Sequence, residues 1–347
     1  MEKLFQKISL ASASIVFVIL VGIFLTLLSS SKAAIEEFGL GFLTNAAWNQ
    51  EVPLNPVNET VHANAAKIFE DVELNTQDDA TDDEAIVDED DEDMIADEDD
   101  EDDMILADED EDEEGSSAAT KTVYGGLVPI VGTILTTIIA LTFALPIAMG
   151  IAVFLAEIAP KNISYVVGIA IELLAAIPSI IFGMWGLYYF APIVADLVGG
   201  YQVSLLTAGL VLGVMILPFM AAITRDSMNT TPNVLKESAY ALGATKFEVI
   251  KDIIFPYSKV GIIGSIILAL GRALGETMAV AFLIGSIFVL PDAINSPTIS
   301  IPVAMANNFG EASGLGESAL FYLALILFII SFGVISLAKF YFLKKAK

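Results

Sequence analysis

Six runs of apolar residues decide what this chain can fold into. They cover residues 8–28, 128–156, 163–195, 197–224, 260–290 and 318–338. Crossing a bilayer as a helix takes about 20 residues, and each run is that long. In hydrocarbon every backbone N–H and C=O must find a partner within the protein, which leaves helices or closed barrels. No period-two alternation is sustained, so the runs predict helices. The expected fold class is an all-α polytopic membrane protein with six transmembrane helices. The only charges in the runs are Glu172 in the third and Arg272 and Glu276 in the fifth. The longer runs exceed one straight span; tilt, interfacial turns or breaks at Pro146, Pro178 and Pro218 would accommodate them.

Charge separates a second kind of segment. Residues 51–122 hold 30 of the 44 acidic residues and two of the 16 basic ones, which is the whole net charge of −28. Within them DEDDEDMIA (88–96), DEDDEDDMILA (97–107) and DEDEDEE (108–114) form a small internal repeat. Such charge density cannot bury enough apolar surface to offset ordering, so the segment is expected to be disordered. It lacks the glycine and fixed ligand spacing of an EF-hand loop, which favours a solvated spacer over a specific cation site. His62, the only histidine, lies here and reads as solvated. There is no cysteine, hence no disulfide framework and no thiolate site. No G-x-x-x-x-G-K-[ST] occurs, so the chain does not cradle ATP phosphates in that way. No catalytic residue, metal, cofactor or nucleic-acid partner is expected.

Basic residues set the expected orientation. With the N-terminus in the cytoplasm, every Lys and Arg outside the spans falls inside except Lys32, Lys67 and Lys121. The first run could be a signal peptide. Its 21 residues exceed an h-region of roughly 7–15, which favours a retained helix. Six spans then leave both termini in the cytoplasm and put residues 225–259 there too.

That inner loop contains ESAYALGATKFEVIKDIIFP, residues 237–256. Glu237, Ala239 and Gly243 open it, and Ile253 and Pro256 close it. Gly243 can take a positive φ or break a helix. Beyond it Phe247, Ile250, Ile253 and Ile254 recur at helical spacing, with Lys246, Glu248, Lys251 and Asp252 on the polar face. A helix lying on the membrane surface explains the stripe but not the pattern ahead of it. In the fifth run, Arg272 lies about twelve residues in, where a charge costs about 2.5–3.5 kcal/mol on the lenient scale. Glu276 is one helical turn away. Two readings are compatible: an ion pair that steadies the bundle, and an anion site on a water-filled path, with Gly271 and Gly275 allowing close approach. Glu172 reads as an interhelical or interfacial group. Met184, Trp185, Tyr188 and Tyr189 read as an aromatic belt.

The 237–256 stretch resembles the EAA loop of ABC import permeases, although Ser238 replaces the usual alanine. ALGRALGETMAV (269–280) is similar to the fifth-span signature of the PstC-type permeases of phosphate importers. IELLAAIPSIIFGMWG (171–186), MILPFMAAITRD (215–226), Phe42-Leu43-Thr44, Trp48-Asn49, Tyr124-Gly125-Gly126-Leu127 and Gly132-Thr133 extend the resemblance in order. It implies a type I ABC importer permease in the bacterial cytoplasmic (inner) membrane. Residues 1–50 would hold the first helix and an outer segment, 51–122 a periplasmic insert, and 123–347 a five-helix core. The implied partners are a PstA-type second permease, an ATPase dimer and a periplasmic phosphate-binding protein. Arg272 and Glu276 would serve substrate, while Glu237, Ala239, Gly243, Ile253 and Pro256 would couple to the ATPase. The alternatives are a permease for another oxyanion such as molybdate or sulfate, an ATP-independent channel or secondary transporter, and a membrane scaffold or sensor with a cation-binding domain.

Overall fold

The computed structural model describes residues 2–53 and 120–344. The acidic repeats and His62 lie outside the described residues. The chain divides into two units, Met1–Gln50 with Val123–Lys347 and Glu51–Thr122. A two-stranded sheet pairs β1 (Trp48–Pro53) with β2 (Thr120–Tyr124).

The larger unit is helical. Its elements are α1 (Glu2–Ser30), α2 (Lys32–Phe38), α3 (Leu127–Val153), α4 (Lys161–Ala175), α5 (Ser179–Trp185), α6 (Ala191–Val198), α7 (Leu205–Asn229), α8 (Asn233–Ala241), α9 (Lys246–Val249), α10 (Phe255–Leu274), α11 (Met278–Ala281), α12 (Ile301–Asn308) and α13 (Leu315–Lys344). Single π turns extend three of them: Phe154–Ile158 after α3, Gly186–Phe190 between α5 and α6, and Ile250–Ile254 between α9 and α10. Among the described residues six helical stretches are long and apolar enough to cross a membrane: Phe5–Ser30, Leu127–Ile158, Ser179–Val198, Leu205–Asn229, Lys246–Leu274 and Leu315–Phe340.

One break falls where the sequence allowed it, and one boundary departs from the sequence expectation. The third apolar run does not form one helix, because it breaks between α4 and α5 at Pro178. Proline disfavours helical geometry in the residue before it. Pro146 and Pro218 stay inside continuous helices, which membrane bundles tolerate. The fifth run is displaced: its helix starts back at Lys246 and stops at Leu274. Beyond it only the four-residue α11 is helical before α12.

The bundle centres on α3 and α7. Ala140, Ala144 and Ala148 repeat every fourth residue on α3 and are fully buried. Ala140 meets the glycine face of α7, where a Cβ on Gly213 would stand 2.8 Å from Phe143 Cδ1 and 3.1 Å from Ala140 O. Small residues let two helix backbones approach and gain dispersion contacts where lipid gives no hydrophobic drive. Polar side chains in this core satisfy themselves locally: Thr133, Thr136 and Thr137 donate to carbonyls four residues back. Helix α10 is held to α7 by a 2.8 Å hydrogen bond between Thr224 and Ser265. Helix α1 lies against α13, with Phe24 on Phe328 and Ser318 Oγ donating to Ser30 O.

The irregular stretch after α11 is packed into the bundle. Leu283, Ile284 and Ile299 are fully buried in it. Its carbonyls at Leu283, Ser296 and Ile294 accept from the N–H groups of Ser204, Leu205 and Leu206. Those bonds satisfy the start of α7, whose first amides have no intrahelical partner. Non-helical backbone within such a bundle is tolerated only where protein or water satisfies it.

Candidate functional site

Two regions hold the residues singled out in the sequence. The first is the helix break in the fifth apolar run. Arg272 stands in the last turn of α10 and is exposed. Among the described residues it has no carboxylate within the 4.0 Å of an ion pair. The expected Arg272–Glu276 pair is therefore not formed. The reason is local. One-turn spacing aligns two side chains only on a continuous helix, and α10 caps at Gly275 between them. Glu276 instead accepts the Ala279 N–H at 3.2 Å on Oε1, at the start of α11. It borders a small chamber with Thr133, Thr136 and Ser300. Thr133 Oγ1 accepts from Ile301 N at 2.8 Å, and the Ser300 hydroxyl is buried with no partner among the described residues. Gly271 and Gly275 flank the arginine, and a Cβ at Gly271 would come 3.3 Å from Ile335 Cδ1.

The result is a guanidinium free of its nearest carboxylate, held where a helix ends. Such a group has five N–H donors and no acceptor. It is suited to an oxyanion, which takes paired N–H donors from the planar fork.

The second region is the stretch from α8 to α10. Glu237 is exposed on α8, and Ala239 is buried on the same helix. The chain turns at Gly243, whose φ is +88°. Thr245 then starts α9 with a capping box: its N–H and hydroxyl donate to Glu248 Oε2 at 2.7 and 2.8 Å, and its Oγ1 accepts from Glu248 N. The π turn Ile250–Ile254 lies just before Pro256, which has no N–H to donate back into it. Pro256 itself is exposed near the start of α10.

The apolar stripe splits. Ile250 and Ile254 are buried and Ile253 is half-buried, all packed with Ala239, Val249, Met228 and Ala152 in a cluster separate from the main core. They pack within this chain. Phe247 stays 71% exposed, joined by Leu242 at 90% and Val234 at 70%. Leu242 and Val234 were not singled out by sequence, since they fall off the Phe247 stripe. The exposed surface of this turn is thus apolar at its tip and acidic at Glu237.

Glu172 makes the interhelical contact expected of it, accepting from Arg225 on α7 at 3.3 Å. Gly168 leaves room for that arginine: a Cβ there would collide with its Nη1. Met184, Trp185, Tyr188 and Tyr189 are all exposed around the π turn after α5.

Residues 122–346 match the family described as binding-protein-dependent transport system inner membrane component. The chain belongs to this family. Its relatives include the phosphate transport system permease protein PstC of Mesorhizobium japonicum, 34% identical over 98% of this chain and 89% of that one. The PstC proteins of Pasteurella multocida and Haemophilus influenzae are 50% and 48% identical over 62% of this chain, covering 74% and 75% of theirs. A chain of the MetNI methionine ABC transporter, solved in inward-facing conformations, aligns with a TM-score of 0.49 and 17% identity, over 62% of this chain and 92% of that one. Membership makes this chain a component of a transport system, built as a multi-pass protein with six apolar helices.

Proposed function

We propose that this chain is the PstC-type permease subunit of an ATP-driven phosphate importer in a bacterial inner membrane, with both termini in the cytoplasm. The observation that carries the reading is Arg272. A guanidinium within an apolar run is costly, and such residues face a bundle interior or a water-filled path. Among the described residues it has no carboxylate partner, and it stands in the last turn of α10, where the helix breaks. A relative that aligns over nearly the whole chain is named for phosphate transport.

The mechanism follows from the two regions. A second permease of the PstA type completes the path, and a phosphate-binding protein delivers the anion to the outer face. Arg272 contacts the anion in passage by charge-assisted hydrogen bonds. Glu276 shapes the same path from just before α11. An ATPase dimer closes on the cytoplasmic side, where Glu237, the Gly243 turn and the exposed Leu242 and Phe247 meet it, and its motion drives alternating access. Ala239, Ile253 and Pro256 hold that turn's shape. This chain's part is binding, orientation and motion; ATP hydrolysis belongs to the partner.

The test is reconstitution of the chain with its second permease, ATPase and binding protein in liposomes. Uptake of labelled phosphate that needs ATP, and is not displaced by excess sulfate or molybdate, is expected. Displacement by either oxyanion would move the assignment to that substrate. ATP-independent flux would replace the importer reading with a channel or secondary transporter.

A further inference from the structure

Helix α8 is attached to the bundle in two ways. One is apolar, through Ala239 in the small cluster with Val249, Ile250 and Ile254. The other is ionic: Lys236 Nζ donates to Glu157 Oε1, with side chains only 15% and 9% exposed. Among the described residues no other ion pair joins α8 to another element. Glu157 lies in the π turn that ends α3, the helix that packs along the length of α7. The far part of α3 carries Thr133 and Thr136, which border the chamber of Glu276. One continuous helix therefore runs from the foot of α8 to the helix break. At 1.5 Å per residue the distance is about 30–36 Å.

A buried ion pair adds little net stability, because desolvation offsets the attraction. What it supplies is a fixed separation. Apolar contacts let one helix slide on another, whereas opposite charges in low dielectric resist being pulled apart. We infer that Lys236 and Glu157 are positioning residues, a strut that converts displacement of α8 into displacement of α3. The inference rests on the coupling role proposed above for the 237–256 stretch.

The experiment uses the complete importer in liposomes and reads labelled phosphate imported per ATP hydrolysed, with ATPase pull-down alongside. The variants are Lys236→Met, Glu157→Gln and the swap Lys236→Glu with Glu157→Lys. Each single variant should retain the ATPase and lose about tenfold in the import ratio, an ordinary size for coupling between sites. The swap should recover most of it. Wild-type ratios in both single variants would overturn the inference, and so would a swap as poor as the single variants. If the single variants lose the ATPase, the swap decides. Recovery of both association and ratio supports the strut; recovery of association alone, or of neither, refutes it. Failure of the underlying reading looks different, because the wild-type complex itself would then import no phosphate at the expense of ATP.

Discussion

Gly243 allows the turn between α8 and α9 to be strained without disturbing anything around it. Its φ is +88°, and an added Cβ would meet no atom within 4 Å. Gly243→Ala therefore carries only the conformational cost of a positive φ, about 1–2 kcal/mol. That is a factor of roughly 5–30 in the population of the native turn against other backbone geometries. Asparagine enters this region more readily than alanine, so Gly243→Asn should cost less. Gly243→Pro should be worst, because it fixes φ near −65° and removes the N–H that donates to Tyr240 O at 3.0 Å. The assay is phosphate imported per ATP hydrolysed by the reconstituted complex, with ATPase pull-down as the control for assembly. The expected order is wild type, Asn, Ala, Pro. Alanine at or above asparagine would refute the φ argument, and four equal ratios would remove the turn from the coupling path.

Other perturbations follow from the same geometry. Gly213→Val should lower the melting temperature of the detergent-purified chain, because its new atoms meet Phe143 and Ala140; overpacking costs about 1–3 kcal/mol, and an unchanged melting temperature would mean the α3–α7 contact is looser than described. Glu237→Lys reverses an exposed charge and should leave folding intact while weakening binding-protein-stimulated ATP hydrolysis; full stimulation would take Glu237 out of the coupling surface. Removing residues 58–117 should leave uptake largely intact, with any effect fading as salt rises, since exposed charges are screened over roughly 8–10 Å at physiological ionic strength. A large, salt-independent loss would mean the acidic segment makes specific contacts.

The helical bundle was readable because membrane spans are written as long apolar runs with few alternatives. Gly243 was readable too, since a glycine between two helical patterns marks a turn. The break after Leu274 was not, because GRALGETMAV continues an apolar run that hydropathy cannot divide. The backbone leaves the helix there, and the irregular stretch beyond is tied to the start of α7 through the carbonyls of Leu283, Ile294 and Ser296, a tertiary effect absent from any local pattern. The same break undid the expected Arg272–Glu276 pair. Lys236 and Glu157 were out of reach for another reason: 79 residues separate them, and no periodicity links the end of one span to a loop helix. The split of the apolar stripe, with Ile254 inward and Phe247 outward, depends on the π turn between α9 and α10, which sequence spacing at 3.6 residues per turn does not anticipate.

The most direct test of the account is phosphate uptake by the Arg272→Ala and Arg272→Lys complexes. Arg272 makes no ion pair among the described residues, so its removal should leave the permease assembled with its ATPase. Uptake should be abolished in Arg272→Ala and only partly restored in Arg272→Lys, whose compact ammonium lacks the paired donors of the guanidinium. Near-normal uptake by an assembled Arg272→Ala complex would contradict the anion path on which the account depends.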